Sequence, residues 1–212
     1  MAFQGTAKMS GNLGVRKVSC PKAPLSWRVK NTLRFGYLHG LASYYVAKAV
    51  SKLFAIGTFT SHLSLKVRRA NGEWEDYGVV GYRVVTDTGV AFLVDDWTND
   101  ATDITTLNYH GVGSGAVAEA AGDTALGTEY TIQINPDSTR ATGSKSQPSA
   151  NILQSQATVS FDGTVAVTEH GLFSQAATGG GTLWDRTVFT VINLGSGDSL
   201  QATYQVTFNS GS

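Results

Sequence analysis

The stretch Leu200-Gln201-Ala202-Thr203-Tyr204-Gln205-Val206-Thr207-Phe208 decides the fold class. Leu200, Ala202, Tyr204, Val206 and Phe208 share one face of an extended chain, and Gln201, Thr203, Gln205 and Thr207 share the other, because successive strand side chains point to opposite sides. The apolar face needs a second layer to cover it, whereas the Gln and Thr face is content in water. That is the logic of a mainly β protein, an antiparallel β-sandwich or barrel. Nothing on this strand suggests chemistry.

Upstream, strands are expected over residues 152–161, 164–173 and 183–192, set apart by Asp162-Gly163, by Thr178-Gly179-Gly180-Gly181 and by Gly195-Ser196-Gly197-Asp198. Residues 58–67 alternate in the same way, and Asn71-Gly72 is a strong hairpin signal leading to strands over 74–85 and, after an Asp87-Thr88-Gly89 turn, over 90–94. Residues 95–130 read as an irregular connection, 130–134 as a strand ending at Asn135-Pro136-Asp137-Ser138, and 137–150 as a long polar loop. About eight strands at this spacing suit a β-sandwich of jelly-roll type.

The other end of the chain is different. Residues 1–26 carry Gly5, Gly11, Gly14, Pro21 and Pro24 with little periodicity and read as an extended arm. One α-helix is expected from Asn31 or Thr32 to about Phe54, with Leu38, Leu41, Tyr45, Lys48 or Ala49, and Lys52 or Leu53 at spacings of three and four and Gly57 as its stop. Gly36 and Gly40 weaken that helix by up to about 1 kcal/mol each relative to Ala, and their spacing permits close packing against another backbone. The chain therefore divides into a basic arm plus helix over 1–56 and a sandwich domain over 57–212.

Composition sharpens the division. The 212 residues are 42% apolar and only 15% charged, with 24 glycines, enough for a core joined by tight turns. The formal net charge of zero hides an asymmetry. Residues 1–70 hold twelve Lys and Arg and no acid, a balance of +12, while residues 71–212 hold four basic and sixteen acidic side chains, a balance of −12. A basic segment of this kind seeks an acidic surface. The candidate partner-binding residues are Arg16, Lys17, Lys22, Trp27, Arg28, Lys30, Arg34, Lys48 and Lys52. An acidic protein surface ranks above nucleic acid as the occupant: Trp27, Phe35 and Tyr37 among the cations could stack on bases, but no nucleic-acid motif is present. Lys and Arg spread through seventy residues do not resemble a transit peptide, and His39, Lys48 and Lys52 interrupt the one apolar stretch long enough to suggest a membrane span.

Motifs for catalysis or cofactors are weak. The single cysteine, Cys20, excludes an intramolecular disulfide, and no Cys/His spacing suits zinc. Asp95, Asp96, Asp100 and Asp103 cluster without the spacing of a calcium loop and read as solvated. His110-Gly111-Val112-Gly113-Ser114-Gly115 lacks the lysine and helix of a phosphate cradle, so its glycines read as permitting a tight loop. No Gly-x-Ser-x-Gly elbow is present. Glu169 and Arg186 stand on expected neighbouring strands and read as a structural ion pair, with His170 turned elsewhere. No catalytic residue, metal or cofactor is expected.

Several segments resemble small structural proteins of tailed bacteriophages: Asn71-Gly72, Gly78-Val79-Val80, Arg83-Val84-Val85-Thr86, residues 109–115 with Asp123-Thr124-Ala125-Leu126 and Glu129, residues 135–143, Val167-Thr168-Glu169-His170-Gly171-Leu172-Phe173, residues 181–189, and Gly197-Asp198-Ser199-Leu200-Gln201. Together they span about residues 70–208. Those proteins look like capsid decoration or cement components, and the Thr-Glu-x-Gly-Leu-Phe element is similar to one in tail-fibre and tail-collar proteins. The resemblance implies a non-enzymatic β-rich module of a virion, often a homo-oligomer such as a trimer, that docks on a major capsid protein or another virion protein. It carries over no catalytic residues and does not reach the basic arm. A tail-fibre, collar or baseplate adaptor, or a host-binding module, is the alternative.

Overall fold

The computed structural model describes residues 20–99 and 103–211. In chain order they form α1 (Leu25–Thr32), α2 (Phe35–Phe54), β1 (Thr58–Arg68), β2 (Trp74–Tyr82), β3 (Val84–Val85), α3 (Asp87–Asn99), a 3-10 turn (Ile104–Thr106), β4 (Tyr109–Gly113), β5 (Ile134–Asn135), β6 (Ala141–Thr142), β7 (Ser144–Ser149), β8 (Ile152–Phe161), β9 (Val165–Phe173), β10 (Leu183–Leu194) and β11 (Ser199–Asn209). The strands build two antiparallel sheets. One runs β2-β1-β11-β8-β5 with β7 also paired to β8, and the other runs β3-β10-β9-β4-β6.

β11 lies at the centre of the first sheet, paired with β1 through Leu200↔Val67 and Tyr204↔Leu63 and with β8 through Leu200↔Val159 and Tyr204↔Ser155. Its alternation is realised: Leu200, Ala202, Tyr204 and Val206 are buried, and Gln201, Thr203, Gln205 and Thr207 are half-buried between them. Phe208 breaks the pattern, being 53% exposed where the two sheets part. The interior is divided along the strands. Leu200 and Ala202, with Val165, Val167, Phe189 and Ile192, belong to a large apolar cluster, whereas Tyr204 and Val206 join Leu172, Trp184 and Leu107 in a second. Between these clusters the strands carry His170, Asp185 and Thr187, all fully buried.

Three α-helices occur among the described residues where one was expected. The expected helix is α2, which begins later than expected, at Phe35 after a break at Leu33 and Arg34; α1 precedes it, over residues mostly outside the expected helix. α2 ends at Ala55, whose φ of 53° is left-handed, two residues before the glycine expected to stop it. The strand expected over 90–94 is instead part of α3. A short apolar run fits a buried strand or a helix equally well by periodicity, and the capping decides it: Thr86 Oγ1 accepts from Gly89 N at 3.0 Å, and Thr86 O accepts from Val90 N at 3.0 Å. Thr86 is thus an N-cap and Asp87-Thr88-Gly89 is a first turn. The expected strand over 130–134 shrinks to β5, and the polar loop over 137–150 contains the short strands β6 and β7. β7 is exposed along its whole length and carries Pro148, as edge strands do.

Residues 21–31 are stitched into the sandwich. Ala23 N donates to Asp76 O and Asp76 N to Pro21 O, both at 2.8 Å, which adds a short parallel bridge to the edge strand β2. Ala23 is 3% exposed, and Trp27 packs edge-on against Tyr77 at 4.7 Å. The Asn31 side chain is buried and spans both sheets, donating to Val80 O at 2.8 Å and accepting from Thr190 N at 3.0 Å. α2 then lies across β1 and β2.

Candidate functional site

The residues expected to grip a partner divide by what they touch. Arg16 and Lys17 lie outside the described residues. Lys22 is paired with Asp76 at 2.6 Å on its own sheet. Trp27 is half-buried, its Nε1 donating to Thr190 O and Val191 O at 3.1 and 2.8 Å. Arg34 is half-buried beside Glu119, and burial lowers its pKa against the pull of that carboxylate. Arg28, Lys30, Lys48 and Lys52 remain exposed on α1 and α2, with Lys48 also seated over the Tyr44 ring at 4.9 Å. Of the aromatics that could stack on bases, Tyr37 packs edge-on against Tyr82 at 5.5 Å, whereas Phe35 is exposed.

The same two helices also expose apolar side chains. α1 with its C-cap exposes Leu25, Val29 and Leu33 at spacings of four, and α2 exposes Phe35, Leu38, Tyr45, Val46 and Leu53. The exposure is large, 81% for Phe35 and 77% for Leu53. The opposite face of α2, with Tyr37, Gly40, Tyr44 and Ser51, is the one seated on the sheet. An apolar stripe on both sides of one helix is the mark of a layer with a second neighbour. The sequence held this signal, since the apolar residues of 35–54 fill two phases of the helical period.

Glu169 and Arg186 meet: Arg186 Nη2 is 2.7 Å from Glu169 Oε2, with both side chains almost wholly buried. Glu169 also accepts from the backbone N–H groups of Gly115 and Thr128 at 2.8 Å and of Gly127 at 3.0 Å. The glycine-rich loop is therefore an anion cradle already filled by a carboxylate of its own chain. A Cβ at Gly113 would lie 2.5 Å from Glu169 Oε1 and against the Thr128 carbonyl, so the loop demands glycine there. Arg186 extends the pin to Asp123 at 2.9 Å. Arg140 does the same for two other loops, gripping Glu129 at 2.6 and 2.9 Å and donating to Gln175 O and Gly180 O.

A polar chain that sequence reasoning missed runs between the sheets. Arg83 pairs with Asp185 and donates through Nη1 to His170 Nδ1 at 2.8 Å. His170 Nε2 is 2.9 Å from His110 Nδ1, and His110 Nε2 is 2.8 Å from Ser155 Oγ, which is 3.0 Å from Asn108 Oδ1. The tautomers follow from the ends, since a guanidinium can only donate. His170 must accept at Nδ1 and donate from Nε2, His110 must do the same, and Ser155 donates to Asn108. His110 thus presents its N–H, not its lone pair, to the serine, and cannot act as a base toward it. Burial and the Arg83 charge hold both rings neutral, pulling His110 down to about 3 and His170 well below the ordinary value.

Two remaining features complete the surface. Where the sheets part, an apolar cleft of about 1160 Å³ lies between α3 and the first sheet, lined by Phe59, Trp97, Ile104, Trp184, Val206 and Phe208 among others. Lys145 at its edge is tied to Thr105 O. The acidic residues near it serve as caps, Asp96 for Ile104 N at 3.1 Å and Asp103 for Thr105 N at 2.8 Å. Among the described residues no group of three or more His, Cys, Asp or Glu gathers as metal ligands would, and no helix is long and apolar enough to cross a membrane. Comparison with protein-family models, curated proteins and solved structures gave no match.

Proposed function

We propose that the chain is a non-enzymatic structural component of a virus particle of the tailed-bacteriophage kind, which docks on the capsid through its basic helical layer and stabilises or decorates it. The observation that supports this reading best is the outer face of α1 and α2, where exposed apolar side chains alternate with Arg28, Lys30, Lys48 and Lys52 and no acid stands nearby in the chain. Each exposed ion pair contributes at most about 1 kcal/mol, whereas burying one large apolar side chain contributes about 1.5–3 kcal/mol. The stripe supplies affinity, and the cations choose an acidic partner and set its orientation. The open apolar cleft favours the second reading, a tail-fibre, collar or baseplate adaptor that receives an apolar element there.

Removing the whole arm and helix is a poor test, because it also strips Ala23, Trp27 and Asn31 from the sandwich. The double variant R28E/K30E changes only exposed charge. It is expected to melt like the parent and to lose incorporation into particles by about tenfold or more. Parental incorporation would sink the docking role. Copy number from mass spectrometry of purified particles separates the two readings, hundreds for a shell component and about a dozen or fewer for a tail.

A further inference from the structure

Within that helical layer, α1 and α2 present separate stripes. We infer that the outer stripe of α2 is covered by α3 of a second copy of this chain, in a head-to-tail contact. This rests on reading the layer as a docking surface and assigns its α2 half.

α3 is the only other helix among the described residues with an exposed apolar face. Val90, Val94 and Trp97 recur at spacings of four and three, and Trp97 is 79% exposed. Their helix also carries exposed Asp87 and Asp95 and no base. α2 carries exposed Lys48 and Lys52 and no acid. The shapes match as well as the charges. Exposed Ala42 and Ala49 leave low points between the larger side chains of the α2 stripe, into which a residue as large as Trp97 can seat.

Symmetric alternatives gain nothing from charge. Two α2 stripes facing each other would bring two basic helices together, and two α3 faces two acidic ones, so neither joins opposite charges. Of the pairings of α2 and α3, α2 against α3 alone offers apolar surface and opposite charge together, and α2 exposes more large apolar side chains than α1, whose Arg28 and Lys30 give it the same sign. α2 rests on β1 and β2 while α3 rests on β10 of the other sheet, so one molecule offers the two faces at different places. Such a heterologous contact repeats from copy to copy and closes into a ring where the rotation allows.

Sedimentation velocity on the full chain over the micromolar range tests this. The parent should self-associate, and K48E/K52E alone and D87K/D95K alone should each weaken association by about tenfold or more while keeping the parental melting temperature. The four changes in one chain should restore it, and so should an equimolar mixture of the two double variants, in which each contact again pairs opposite charges. A parent that stays monomeric overturns the proposal. So does D87K/D95K associating like the parent, which would mean that α2 meets α2, and so does failure of the mixture to recover. These outcomes are independent of particle incorporation by R28E/K30E, so either conclusion can fall without the other.

Discussion

Glu169 shows how a single side chain can organise two loops. It is fully buried, and its charge is met by three backbone N–H groups and the Arg186 guanidinium. Glu169→Gln keeps the shape, but it turns an amide NH₂ toward donors and leaves Arg186 with Asp123 as its one carboxylate and the Val117 carbonyl. Breaking a buried pair from one side costs about 3–5 kcal/mol, and urea unfolding of E169Q should show a loss of that size. A loss under about 1 kcal/mol, the value expected of an exposed pair such as Lys22 and Asp76, would mean that the carboxylate does not hold the loops. This pair was legible because its partners stand on strands that the sequence already placed side by side. The chain of Arg83, His170, His110, Ser155 and Asn108 was not, since its members come from separate strands and loops and only the fold puts them in line.

α2 carries information on both of its sides. Gly40 marks its close approach to the sheet: a Cβ there would lie 2.8 Å from Tyr82 O and 2.9 Å from Tyr82 Cβ. Gly40→Ala gains up to about 1 kcal/mol of helix propensity and loses about 1–3 kcal/mol to overpacking. The second effect is expected to win, with a lowered melting temperature by circular dichroism; a raised one would show that α2 does not sit so close. The strands were legible where one face is buried and the other wet, as in β8 and β11, because period two then has one meaning. The apolar run inside α3 has no such contrast, and its N-cap at Thr86 was the signal passed over. Likewise the arm hid its attachment to the sandwich, because Ala23 and Asn31 carry no periodic pattern and reveal their burial only beside β2 and β10.

The polar chain between the two apolar clusters ties stability to pH. His110 and His170 are depressed in the folded state by burial and by Arg83, so below pH about 6.5 the unfolded chain binds protons that the folded chain refuses. Their stabilisation is present in full above that pH and is lost as pH falls toward their folded values, by about 1.4 kcal/mol per pH unit for each proton. Asp185 acts in the opposite sense. Burial pushes it up to about 6 against the pull of Arg83, so it takes a proton on folding and offsets one histidine between pH 6 and its ordinary value of 3.8. The net expectation is a loss of about 3 kcal/mol between pH 7 and pH 4.5, read as a shift in urea midpoint. Equal midpoints at the two values would mean that the rings protonate in place.

β11 joins β1 to β8, yet it is synthesised after both of them. The first sheet therefore cannot close as its strands appear. β1 and β2 must wait as a hairpin, with β8 also waiting, until residues 199–209 arrive to sit between them. Such long-range closure is slow and leaves strand edges open in the interval. The same strand that fixes the fold class also sets the moment at which the fold becomes available.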